Sequence, residues 1–169
     1  MSFNAQLKAS ILEGGPKTKK ELNKLLRDAK NAEFKDQIYY TLAMIELRES
    51  NEEKAMQHLT NSAFYSTNNV RQKGMAYEKM GDLRYAKRYY IKAQKYYDSC
   101  GTTVDDKYPN IKEIRSKAEK LADLVVAVET AQYEDSVQRI AKMDPAEQEA
   151  FLKNVIKKQE EEAQAKAQR

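Results

Sequence analysis

Few residues in this chain of 169 could do chemistry. There is one histidine, His58, and one cysteine, Cys100. A tetrahedral zinc site draws mainly on thiolates and imidazoles, so one of each cannot build it without several carboxylates. No H-E-x-x-H pair surrounds His58. On a helix whose Ala55 and Leu59 face inward, it reads as a surface or boundary residue. Cys100, at a helix end with no base beside it, reads as a partly buried and inert thiol. Gly14-Gly15 lacks the Lys-Ser/Thr that completes a phosphate-binding loop. The carboxylates of "NEEK" and "EEEA" lie on solvated helix faces. The residues predict no enzyme: no catalytic group, no cofactor site and no metal site.

Tyrosine is the one abundant reactive type, with 11 copies. Tyr39-Tyr40, Tyr89-Tyr90 and Tyr96-Tyr97 come as pairs, so one ring of each pair can turn inward while its neighbour lies about 100° round the helix. Such rings bury a large apolar face and keep the hydroxyl wet. Base stacking would need rings interleaved with clustered arginines on one face, a pattern not evident in this sequence. Thirty basic and 26 acidic residues are interspersed, leaving a net charge of +4 without a basic stripe, so no nucleic-acid partner is expected.

The elements that must position these side chains are helices. A third of the residues are charged, Gly numbers five and Pro three, and no period-two alternation is present. The longest apolar run, "LVVAV" at Leu124 to Val128, is far short of the roughly 20 residues of a membrane span. The start, "MSFNAQLKAS", lacks a signal-peptide layout, so the chain reads as soluble as given, without membrane insertion of its own.

Gly14-Gly15-Pro16 closes a first helix carrying Phe3, Leu7 and Ile11. Thr18 to Glu21 reads as a capping box for a second, burying Leu22, Leu25, Leu26 and Ala29. A third carries Ile38, Tyr39, Leu42 and Ile45 on its apolar side, and Asn51 caps a fourth with Ala55, Leu59 and Ala63. Thr67-Asn68-Asn69 opens a fifth with Val70, Gly74 and Tyr77. Gly81-Asp82 reads as the turn into a helix with Ala86, Tyr90 and Ala93.

Residues 74–99, "GMAYEKMGDLRYAKRYYIKAQKYYDS", echo residues 43–66 at an interval of 31, with Ala43 matching Gly74 and Ala55 matching Ala86. Small residues at fixed places let paired helices approach, while larger ones fill the hollows. This resembles the signature of the tetratricopeptide repeat. The fold class expected is all-α: a tetratricopeptide-like helix-hairpin solenoid with a C-terminal helical cap. Repeats occupy residues 1–100, as a degenerate unit at 1–32 and units at 35–66 and 68–100. In such arrays the first helix of each pair lines a concave groove. The resemblance therefore implies protein binding by Tyr40, Met44, Arg48, Arg71, Gln72, Met75 and Lys79. A cytoplasmic co-chaperone-like role is a lesser alternative, because Tyr40 and Met44 stand where such repeats carry Lys and Asn.

Capping helices fill residues 101–158. Tyr108-Pro109 starts a helix with a heptad seam at Ile111, Ile114, Ala118, Leu121, Val125 and Val128. The seam either closes the solenoid or makes a homodimer through 111–128. Its rhythm slips at Tyr133, Val137 and Ile140, predicting a kink or turn. Asp144-Pro145-Ala146-Glu147 starts the last helix, anchored by Phe151, Leu152, Val155 and Ile156, before a fraying polar tail at 159–169.

Three phrases carry a narrower likeness: "KNAEFKDQIYYTLAMIELRESNEEKAMQHL", "YPNIKEIRSKAEKLADLV" and "EDSVQRIAKMDPAEQEAFLKNVI". In that order, over residues 30–156, the chain resembles the tetratricopeptide lipoproteins of Bacteroidetes linked to gliding motility and type IX secretion (the SprE/PorW group). The resemblance implies a non-enzymatic, periplasm-facing scaffold that joins envelope proteins, anchored through a lipoprotein cysteine absent from this sequence. It also implies that the chain is an interior segment or a short relative.

Overall fold

The computed structural model describes residues 3–167, and among these no strand occurs. Eight α-helices follow one another: α1 (Phe3–Glu13), α2 (Gly15–Arg27), α3 (Lys35–Arg48), α4 (Glu52–Tyr65), α5 (Val70–Ala86), α6 (Tyr90–Thr103), α7 (Ile111–Ala141) and α8 (Pro145–Ala167). A 3-10 segment, Ala29–Phe34, links α2 to α3. The all-α class is as expected. The chain divides into two compact units, residues up to Val125 and residues from Val126 onward.

In the first unit, three tight turns follow one another; the second and third fold α3 on α4 and α5 on α6, whereas α1 and α2 each pack on α3. Positive φ falls at Gly14 (62°) and Gly15 (81°) in the first turn, at Ser50 (61°) in the second and at Arg88 (61°) in the third. At the second turn, Asn51 N–H donates to the Glu46 carbonyl and Ser50 N–H to that of Leu47. At the third, Tyr89 N–H donates to Arg84 and Arg88 N–H to Tyr85. Both are Schellman motifs, which satisfy the last helical carbonyls before the chain reverses.

These turns correct the sequence reading. Ser50 and Arg88 lie 38 positions apart, not 31. The same offset carries Ala43 to Gly81, Ala55 to Ala93, Leu59 to Tyr97 and Ala63 to Gly101, and all eight are buried. Gly81-Asp82 is no turn but the interior of α5, where Gly81 lies against the Tyr97 ring. Ala86 ends α5, exposed, and takes no part in close packing. The Thr18 capping box is also absent: α2 begins at Gly15 with Pro16 in its first turn, Thr18 is buried inside it, and Ala29 is exposed outside it. Asn51 precedes α4 without capping it, its amide donating instead to Glu46 (2.9 Å).

Three apolar clusters run through the first unit. Leu7, Leu22, Ile38, Leu42 and Ile45 join α1, α2 and α3. Ala43, Met56, Leu59, Ala63, Ala76 and Met80 join α3, α4 and α5. Ala93, Tyr97, Cys100, Ile111, Ile114, Ala118 and Leu121 join α6 to the start of α7. Four of the six seam residues are thus committed to this chain's own core, which removes them as a dimer interface. The residue-100 boundary falls inside the unit, within α6.

In the second unit, α7 runs unbroken to Ala141, so the slip at Tyr133 makes no turn. Asp144 and Glu147 exchange reciprocal bonds, Glu147 N–H to Asp144 Oδ1 (2.9 Å) and Asp144 N–H to Glu147 Oε2 (3.2 Å). This box starts α8 as its sequence predicts. Helix α8 continues to Ala167, through the expected polar tail, whose last two residues lie outside those described. Among the described side chains from Val126 on, none is buried. No helix among the described residues is long and apolar enough to cross a membrane.

Candidate functional site

A groove of about 460 Å³ opens in the first unit between α1, α3 and α5. Helix α1 contributes Asn4, Leu7, Lys8 and Ile11, which share one face by their spacing of three and four. Gln37, Tyr40 and Thr41 come from α3; Arg71, Gln72 and Met75 come from the start of α5, and Asn69 is the residue that caps it.

Buried polar bonds hold these walls in place. Asp36, 2 % exposed at the start of α3, accepts from its neighbour Gln37 N–H (2.8 Å), from Ser66 Oγ (3.3 Å) and from Asn69 Nδ2 (3.0 Å). Ser62 Oγ donates to the Asp36 carbonyl (2.8 Å). Asn69 Oδ1 in turn accepts from Gln72 N–H (3.1 Å), capping α5. One carboxylate thereby ties α3, the end of α4 and the start of α5 together. At the far wall, Arg48 Nη1 donates to the carbonyls of Ile11 and of Leu12 (2.7 Å to the latter), satisfying the end of α1.

The groove's chemistry is amide, cation and ring. Gln72 is 8 % exposed, and its Nε2 has no protein acceptor. Arg71 lies over the Tyr108 ring at 5.8 Å. Burial pushes the Tyr40 phenol up from its ordinary value, and the charges of Glu78 and Asp82 add to the shift. The phenol is therefore a neutral hydrogen-bonding group at neutral pH. Tyr108 donates to Glu78 (2.6 Å) and Tyr97 to Asp82 (2.8 Å), so both carboxylates are engaged.

Of the seven expected groove residues, Tyr40, Arg71, Gln72 and Met75 come together here. Met44 packs on the cluster between α3 and α5, and Arg48 serves as the tie to α1. Lys79 is half-buried on α5 and does not line the groove. Sequence reasoning missed the whole α1 wall. Its signal was the Asn4, Leu7, Lys8, Ile11 spacing, obscured because α1 carries none of the small-residue signature.

The reactive residues elsewhere are placed for packing. Cys100 is fully buried, which pushes its thiol up to about 12. His58 is half-buried beside Tyr39, ring centroids 6.0 Å apart, with Nδ1 lacking a partner. Among the described residues no group of three potential metal ligands assembles. No protein-family model matches the chain, and no curated protein matches it significantly.

Proposed function

We propose that the chain is a non-enzymatic protein-interaction scaffold of tetratricopeptide-like hairpins, which docks a partner in the groove between α1, α3 and α5. One observation carries the reading: the first helices of two successive hairpins, α3 and α5, together with α1 packed on α3, line the same groove. Stacked hairpins gain stability from neighbour to neighbour and leave such a surface open for recognition. The 38-position offset of buried residues supports the repeat, and a groove built from amides, a thioether, a ring and two cations suits a polypeptide. The likeness to secretion and gliding lipoproteins makes the bacterial envelope the compartment to search, with an assembly role there. Capture from an envelope extract tests the proposal. Wild type should retain a partner that Tyr40→Ala/Arg71→Glu loses, and equal retention by both would count against the groove.

Self-association is a second reading, moved from the seam to the second unit. Its support is the exposure of Val126, Tyr133, Val137, Leu152 and Ile156 in a unit with no buried side chain among those described. Light scattering at high micromolar concentration distinguishes a monomer from a dimer, and Tyr133→Glu/Ile156→Glu should abolish the dimer.

A further inference from the structure

We infer that the groove selects an extended peptide segment bearing a carboxylate, seated between Lys8 of α1 and Arg71 of α5. The inference rests on the groove being a docking surface and names the chemistry that surface prefers.

Charge is the first argument. Among the described lining residues two are cations and none is acidic, although acidic residues make up 26 of the 169 in the chain. Asp36, which bonds the lining residues Gln37 and Asn69, is buried and satisfied by three donors, so it offers nothing to a ligand. The Arg71 guanidinium presents its donors as a planar fork that matches a carboxylate.

Local dipoles act in the same sense. Arg71 and Gln72 stand in the first turn of α5, a helix of 17 residues, whose leading amides carry partial positive charge. A helix start alone would signify little, since Asn69 already caps it. The independent observation is Gln72. Its side chain lines the groove, yet its amide nitrogen is buried without an acceptor. Leaving a buried donor unpaired is costly, and ligand oxygen supplies what the protein does not. The terminal amide turns about a soft torsion, and that rotation is the motion by which it would meet a ligand.

The remaining lining fits main chain rather than a small acid. Asn4 and Gln37 carry both donors and acceptors, which can pair with peptide groups, while Tyr40 and Met75 offer apolar area between them. Glu78 and Asp82, on α5 beyond the groove start, oppose a second acidic group near Tyr40. The polarity thus orients the segment, with its acidic residue towards Lys8 and Arg71.

Fluorescence anisotropy on the full chain tests this, using three labelled dodecapeptides of alternating Leu with Glu, Gln or Lys. The Glu peptide should bind at least tenfold tighter than the Gln peptide, with the margin shrinking in 0.5 M salt. Lys8→Glu/Arg71→Glu, at exposed positions that leave helicity unchanged by circular dichroism, should invert the order in favour of the Lys peptide. Gln72→Met should weaken the Glu peptide severalfold without lowering the melting temperature. Equal binding of the Glu and Gln peptides, both lost in Tyr40→Ala, would overturn the acidic preference while leaving the groove as a docking surface. Glu-peptide binding unaffected by the double reversal would place the acid elsewhere and overturn the inference. Binding of none of the three would overturn it too, leaving the docking role to be judged on a captured protein partner.

Discussion

Tyr97 packs against the bare backbone of Gly81. A Cβ on Gly81 would stand 2.7 Å from the ring's Cε1 and 2.8 Å from Cδ1. The same ring donates its hydroxyl to Asp82 at 2.8 Å. One hairpin earlier, the corresponding positions hold Ala43 and Leu59, a larger residue on α3 against a smaller one on α4. Between the two hairpins, volume is exchanged across the contact, Gly with Tyr in one and Ala with Leu in the other.

Gly81→Ala should therefore destabilise the protein despite alanine's better helix propensity. Overpacking costs typically about 1–3 kcal/mol, against about 1 kcal/mol gained from replacing a helical glycine. In a Tyr97→Leu background the same change should become neutral or stabilising, because the ring no longer occupies the space. Urea denaturation of the two single variants and the double variant reads this coupling.

Ser50 and Arg88 hold left-handed conformations that favour glycine, and both side chains are exposed. Ser50→Gly and Arg88→Gly should each stabilise by roughly 0.5–1 kcal/mol, the difference between the steric relief and glycine's greater unfolded freedom. Thermal melts showing no rise in either variant would contradict the turn assignment.

His58 gives the stability a slope on the acid side of neutrality. Burial holds its imidazole below 6.5, with Glu46 opposing the shift and Lys19 and Lys54 adding to it. The unfolded state then binds the proton more readily than the folded one. Its contribution is present above 6.5 and is lost as pH falls through the lowered folded value. His58→Gln should flatten that part of the stability profile between pH 7.5 and 5.5, measured by urea midpoint.

Lys19 ties α2 to α3 through Glu46 (3.0 Å) and Glu49 (2.6 Å). Hydrogen bonding to Glu49 and then Glu46 raises the Lys19 value above 10.5, and the bond to Lys19 lowers Glu49 below 4.5. The tie should be fully present between those limits. It is lost as pH rises through the raised lysine value and as it falls through the lowered glutamate value. Lys19→Met should cost about 1–3 kcal/mol, because Glu46 is 4 % exposed and keeps only the Asn51 amide. Glu46→Gln in that background should recover part of the loss.

Cys100 supplies a probe of opening. With the thiol buried and pushed up to about 12, an aromatic disulfide reagent at pH 8 should react only as fast as the α6 core opens. Reaction at the rate of a free thiol in native buffer would contradict that burial.

Helix content and much of the core were legible because Leu22, Ile38, Leu42, Ala55, Leu59 and Ala93 follow the helical period and are buried. Asn69 and Asp144 announced their helices by local chemistry alone. The second hairpin's register was not legible. Gly-Asp is locally a turn pair, while the actual turn residue, Arg88, is an unfavoured choice whose conformation is imposed by packing on either side. Gly81 is needed for the approach of Tyr97, a contact invisible along the chain. The α1 wall of the groove was hidden for a related reason: α1 contributes through its place against α3, which Arg48 secures across 36 positions of sequence.

Site-specific photocrosslinking tests the central claim most directly. A photoreactive group at Met75→Cys, with Gln57→Cys on the exposed side of α4 as control, is irradiated in an envelope extract. The account predicts one discrete protein adduct from the Met75 position, suppressed by Tyr40→Ala/Arg71→Glu, and none from the Gln57 position. Adducts of equal yield from both positions, or a Met75 adduct indifferent to the groove variant, would contradict it.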